Sequence, residues 1–283
     1  MSDPSAPTAF PRQRARTLLL TILGSMTAPH DLVLWHETYV ALLCELGLSE
    51  SAARQALARA GAAGWIESER AGRRTRLRVP GAHREGLATA SARIERFGRP
   101  FDWDGEWLVV ILKVPEQARS LRHHVRTQLG WLGFGSLGNG VWISPHGENE
   151  QAALALLSSA EDPLDAYAFR SARSVGISPE KLATAAWDMP SLHARYSAFL
   201  DTFRGLSPDT PRSAWTPWVN LVTAWRHFPL FDPELPEHLL PEDWPRAEAF
   251  RLFHRCDDRW APLALEHARE IERRVDGGAM PWP

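Results

Sequence analysis

Thiols and lysines are scarce in this chain. Two cysteines among 283 residues, Cys44 and Cys256, can build neither a disulfide framework nor a metal site by themselves, which fits a reducing compartment. No run of eighteen apolar residues occurs, so no membrane-spanning helix is expected. Residues 1–11 lack the basic stretch and apolar segment of a secretory leader, and a cytoplasmic location is expected. The common catalytic patterns are also missing: there is no G-x-S-x-G elbow, no H-E-x-x-H and no P-loop lysine. Cys44 lies among Leu42, Leu43 and Leu46 and reads as a core thiol. Cys256 follows His254 and Arg255, but adjacency along a helix does not make a nucleophile–base pair. His123 and His124 point in different directions on a helix. No catalytic residue, metal ligand or cofactor site is therefore assigned, and an enzyme is not expected.

What is present is an ordinary globular composition, 44% hydrophobic and 23% charged, at a length suited to two or three domains. The net charge of −2 hides an uneven distribution. Residues 12–99 hold fourteen arginines against eight acids, and the remainder is acidic. Lys113 and Lys181 are the only lysines, so the basic charge is almost entirely guanidinium, the better ligand for phosphates and base edges.

Three segments follow from periodicity. In the first, residues 13–23 predict a helix, with a break over 24–31. A second helix carries Trp35, Tyr39, Leu42, Leu43 and Leu46 and ends at Gly47. Ser49 is placed to cap a third, whose Ala53, Ala56, Leu57 and Ala60 follow the i, i+3, i+4, i+7 pattern, with Gly64 as its stop. Residues 65–70 and 73–79 read as strands around an Ala71-Gly72 turn.

Three helices and a hairpin is the order of a winged helix-turn-helix. Burying the apolar stripe of the third helix turns Ser51, Gln55 and Ala58 outward, flanked by Arg54 and Arg59, which suits a helix in a major groove. In the hairpin Arg74, Arg76 and Arg78 alternate with Thr75, Leu77 and Val79, and Arg70 and Arg73 stand near the turn. Such a hairpin can follow a phosphate backbone or enter a minor groove. The alternative is a solvated basic hairpin on a domain with another task.

The second segment, 102–174, predicts strand 107–114, helix 117–129, a hairpin of 134–137 with 141–144, helix 149–158 and strand 166–173. That βαββαβ order is ferredoxin-like. Gly133, Gly135 and Gly138 spell G-x-G-x-x-G, but a helix precedes them and a strand follows, the reverse of a dinucleotide site. They read as hairpin glycines. The third segment, 188–283, is helical. Leu192, Tyr196, Phe199, Leu200 and Phe203 mark one helix, Trp215, Trp218, Val222 and Trp225 another, and a long helix runs over 246–275. Between the last two, residues 228–245 carry five prolines, a stiff loop expected to pack in one way. The tryptophans read first as core. A pocket framed by Trp225, Arg226, His227 and the proline loop with Asp232 is the sharper reading.

These stretches resemble the PaaX family of transcriptional repressors of phenylacetic acid degradation. The resemblance runs from Arg12 to the last helix. It rests on SESAARQAL at 49–57, GWIE at 64–67, GRR at 72–74, WDG at 103–105, WLGFG at 131–135 and GVWISP at 140–145. Most specific are AWRHFP at 224–229, DPELP at 232–236 and LLPEDWP at 239–245. The chain departs from the family pattern in Ala71-Gly72 at the hairpin tip and in His227 beside Arg226.

The resemblance implies an α+β chain of three parts: a winged helix-turn-helix DNA-binding domain at 12–97, a ferredoxin-like domain at 102–174 and an all-helical effector or dimer domain at 188–283. It implies a homodimer that occupies a double-stranded DNA operator and releases it when an aryl-CoA thioester such as phenylacetyl-CoA binds. DNA contacts are expected from Ser51, Arg54, Gln55, Arg59, Arg70, Arg73, Arg74 and Arg76, and effector contacts from Trp225, Arg226, His227 and Asp232. The rival expectations are a hydrolase acting on the same thioester and a protein-interaction module using the winged helix.

Overall fold

The computed structural model describes residues 15–99, 102–113, 119–158 and 165–278. The helix start expected at Gln13, the strand end at Val114 and the helix start at Gln117 and Ala118 lie outside the described residues, as do residues 1–11. Helix and strand are mixed, with two small antiparallel sheets and a helical C-terminal region. No described helix is long and apolar enough to cross a membrane.

The chain divides into two compact units, each drawn from separated stretches. The first takes residues 1–95, 198–226 and 248–283. It begins with α1 (Ala15–Ile22), which buries Leu18, Leu19 and Ile22. The break expected at Gly24 is delayed, because Leu23 and Met26 are also core residues and residues 23–27 continue as a π-helical turn. A second difference follows. Trp35 belongs not to a helix but to the short strand β1 (Leu34–Trp35), paired with Arg76, and α2 (His36–Glu45) starts after it.

Helix α3 (Glu50–Ala62) has the predicted cap, since the Ala52 N–H donates to the Ser49 hydroxyl, and the predicted stripe of Ala53, Ala56, Leu57 and Ala60 is buried. The strands β2 (Glu67–Ala71) and β3 (Arg74–Arg78) pair Ala71 with Arg74, so the two-residue turn is Gly72-Arg73, one position later than expected. Gly72 takes the left-handed conformation there, which favours glycine. Helix α4 (Gly81–Arg96), for which the sequence pattern predicted nothing, follows the sheet β1-β3-β2.

The second unit takes residues 96–197 and 227–247. It holds β4 (Trp107–Lys113), α5 (Arg119–Trp131), β5 (Gly135–Gly138), β6 (Val141–Ser144), α6 (Glu150–Ser158), β7 (Asp165–Ala172) and α7 (Pro179–Ala186). The sheet order is β5-β6-β4-β7. Leu108, Val110 and Leu112 of β4 form one core with Val125 and Leu129 of α5 and Ala153 and Leu157 of α6. On the opposite side Trp107 and Ile143 pack with Leu239, beside Leu182, Ala186 and Trp187. Gly133, Gly135 and Gly138 lie at this hairpin. A Cβ on Gly135 would come within 2.5 Å of the Trp187 ring, so packing accounts for that glycine.

Three further α-helices follow among the described residues: α8 (Met189–Phe203), α9 (Pro211–Trp225) and α10 (Arg246–Asp276). In the first unit α9 is riveted to the N-terminal helices. The Trp215 indole N–H donates to Leu42 O at 3.0 Å, and Thr223 donates to Thr21. The C-terminal turns of α10 reach the same region. Thr38 and the Trp35 backbone N–H donate to Glu272, the Trp35 indole donates to Asp276 at 2.8 Å, and the His267 ring lies 2.6 Å from Glu45. The N-terminal helices therefore share one core with α9 and α10.

Candidate nucleic-acid interface

The buried stripe of α3 fixes what its other side shows. Ser51, Arg54, Gln55, Ala58 and Arg59 are all exposed, as their spacing predicted. Arg54 also pairs with Glu50 one turn earlier, at 2.7 Å. An exposed i, i+4 pair of this kind is worth only ~0.3–0.5 kcal/mol, so Arg54 can exchange it for a stronger acceptor.

The five hairpin arginines are not equivalent. Arg70 and Arg73, at and beside the turn, are exposed and take part in no ion pair among the described residues. Arg74 and Arg76 instead lie over Trp35, with guanidinium carbons 3.9 and 4.4 Å from the ring centroid. Arg76 also reaches Asp276 at 3.3 Å. Arg78 pairs with Glu67 on the neighbouring strand at 2.7 Å. The alternating arginine pattern thus divides into a tip facing solvent and a base bound to Trp35 and to α10. Trp35 is a residue whose role sequence reasoning missed. Its position after Val33 and Leu34 in an extended apolar stretch was the available clue.

The four residues expected to frame an effector pocket fall in different units. Trp225 is completely buried in an aromatic core, stacked on Phe253 at 4.7 Å and tilted against Phe199 at 5.4 Å. Arg226 donates to Thr21 at 3.1 Å, and burial lowers its pKa. Both belong to the first unit, whereas His227 and Asp232 belong to the second.

Asp232 is buried among hydrogen-bond donors. Tyr196 donates to it at 2.5 Å, the Glu234 N–H donates at 2.7 Å, and Arg246 stands 3.6 Å away while donating to Leu235 O. Burial, then the adjacent Asp232 carboxylate, pushes the Tyr196 hydroxyl well above its ordinary range. The proline loop is held by this set and by His146, whose ring Nε2 donates to Pro233 O at 2.6 Å.

Burial raises the pKa of Cys256 and of Cys44, which disfavours the thiolate at both. Cys44 is only partly buried, less enclosed than its leucine neighbours suggested. Among the described residues no group of three His, Cys, Asp or Glu side chains is placed to hold a metal ion.

Three family models match successive parts of the chain: PaaX-like protein over residues 14–79, PaaX protein central Cas2-like domain over 100–184, and PaaX-like protein C-terminal domain over 187–270. The chain belongs to the PaaX family. It is 28% identical over 278 residues to the transcriptional repressor PaaX of Escherichia coli (strain K12), covering 94% of this chain and 86% of that one. Among solved structures it is similar to the uncharacterized protein Rv0674 from Mycobacterium tuberculosis. There the TM-score is 0.63 at 23% identity, over 90% of this chain and 98% of the other, a likeness of fold. The PaaX family models cover both the α3 and hairpin surface and the four-stranded sheet.

Proposed function

We propose that this chain is a DNA-binding transcriptional repressor whose N-terminal part acts as a winged helix-turn-helix. In this reading α3 is the recognition helix, the β2–β3 hairpin the wing, and the β4-α5-β5-β6-α6-β7 unit a ferredoxin-like domain. The functional divisions are 12–97, 102–174 and 188–283, although the first and third share a core. The observation that carries the reading is the exposed row Ser51, Arg54, Gln55 and Arg59 on a helix whose other side is buried, beside a hairpin tip bearing Arg70 and Arg73. Kinship with a repressor of E. coli supports it.

The protein would act as a homodimer, placing two copies of α3 in successive major grooves ~34–36 Å apart over a palindromic site. The edge strand β7 leaves Tyr167 and Phe169 about half exposed, apolar surface that a second copy would cover. An aryl-CoA thioester, phenylacetyl-CoA by family resemblance, would bind better to an arrangement whose helices no longer match the operator. The role is that of a ligand-controlled binding protein and not of a catalyst.

The test is sequence preference. Gln55→Ala is expected to cost about 1–3 kcal/mol on the operator and nearly nothing on an operator altered at the base pair it reads. Anisotropy titrations against a panel of singly substituted operators check this. Equal losses on every sequence would remove α3 from the base-reading role.

A further inference from the structure

We propose that the cleft between α5 and the β5–β6 hairpin binds a phosphate-bearing small molecule. Deepening the function proposed above, and resting on it, we assign this cleft to the nucleotide end of the effector. The cleft has a volume of about 740 Å³, within the range of ~300–1,000 Å³ usual for small-molecule sites. Among the described residues Lys113, Arg122 and Arg126 line it, and no acidic side chain does. That is unusual for its surroundings, since the second unit holds sixteen acids against eleven bases.

Local sequence builds this concentration of charge. Helix α5 reads RSLRHHVRTQLGW, with three arginines, two histidines and no acid. Its buried Val125 and Leu129 set the helix on the sheet, and Arg122 and Arg126 then stand one turn apart on the same side. Lys113 has a carboxylate partner in Asp165 at 3.2 Å, but both side chains are well exposed, so the pairing is weak.

The opposite wall is backbone held close by glycine. Gly138, Asn139 and Gly140 all take positive φ. A Cβ on Gly140 would collide with Leu112 O, while the Leu112 N–H donates to Gly140 O at 2.8 Å. The turn is thereby pinned next to Lys113. Trp142, half-buried on the hydrophobic core, adds an aromatic surface beside the cations. Three cations, an aromatic surface and the hydroxyl of Ser136 suit a phosphate or diphosphate joined to a planar ring. A second cleft in the same unit, of about 410 Å³, is lined by Asp102, Asp104, Glu106 and Glu148 with Arg170, and would repel such a ligand.

The test is isothermal titration of the full chain with coenzyme A and, separately, with inorganic pyrophosphate. The wild type is compared with Lys113→Ala/Arg126→Ala, with the charge-keeping Arg126→Lys, and with Arg173→Ala outside the cleft, each checked for an unchanged melting temperature. We expect coenzyme A to bind the wild type, at least tenfold weaker binding by the double alanine variant, and less than twofold change in Arg126→Lys and Arg173→Ala. Equal binding of coenzyme A by wild type and double variant would overturn the site while leaving the effector reading standing. Binding of pyrophosphate but not coenzyme A, abolished in the double variant, would keep the anion site and overturn its link to the effector. Absence of binding by both probes overturns the site. So does a fall in DNA affinity and salt dependence in the double variant, which would make the cleft part of the DNA interface.

Discussion

Replacing Arg70 and Arg73 together by alanine is expected to weaken binding to every DNA sequence at least about tenfold, because hydrogen bonds to charged groups are worth ~1.5–3 kcal/mol each. The salt slope of the binding constant should fall by about two, one for each phosphate that is no longer neutralised. The two arginines are chosen because they are exposed at and beside the hairpin turn, whereas Arg74 and Arg76 cover Trp35. Melting temperature should hardly change in the Arg70/Arg73 pair variant. Arg74→Ala should lower it, since that guanidinium shields the Trp35 ring. Anisotropy titrations from low to high salt measure the first effect and thermal melts the second. An unchanged slope in the pair variant would show that the hairpin tip does not touch the phosphates.

Asp232→Ala is expected to be the most destabilising single change in the second unit. Asp232 and Arg246 side chains are 2% and 7% exposed, so removing the carboxylate leaves a guanidinium buried without its counter-charge. Breaking such a pair costs ~3–5 kcal/mol. Tyr196→Phe removes one donor from the same carboxylate and leaves the ion pair, and should cost ~1–3 kcal/mol. The two should be far from additive, because they share one acceptor. Chemical unfolding of the single and double variants reads all three quantities. A loss below ~1 kcal/mol for Asp232→Ala would show that the proline loop is held by something other than this carboxylate. The loop matters because Asp232 ties Tyr196 of α8 to Arg246 at the head of α10.

What could be read from the sequence was mostly local. The α3 cap at Ser49 and its stripe of Ala53, Ala56, Leu57 and Ala60 are separated by a few residues, and both appear in the structure. The strand and helix order of the second unit was legible for the same reason. Trp35 was misplaced because its strand partner Arg76 and its acceptors Glu272 and Asp276 are distant in the chain. The hairpin showed five arginines as one pattern, and only tertiary contacts divide them into tip and base. Trp225 and Arg226 adjoin His227 in sequence, yet they belong to a different unit, which a linear motif cannot reveal. Helix α7 was missed because Ala183 is its one buried residue, which leaves no apolar stripe to read. The α5 cleft escaped notice because its lysine, arginines and hairpin turn meet only once the sheet is assembled.

The most direct test of the account is fluorescence anisotropy of the purified full chain on DNA from upstream of its own gene, with a salt titration, in the presence and absence of phenylacetyl-CoA. The account predicts tight binding that weakens steeply with salt and is released by the thioester while the thioester itself stays intact. Salt-insensitive or absent binding there and in a genome-wide pull-down would contradict DNA recognition. Hydrolysis of the thioester would contradict the non-catalytic role.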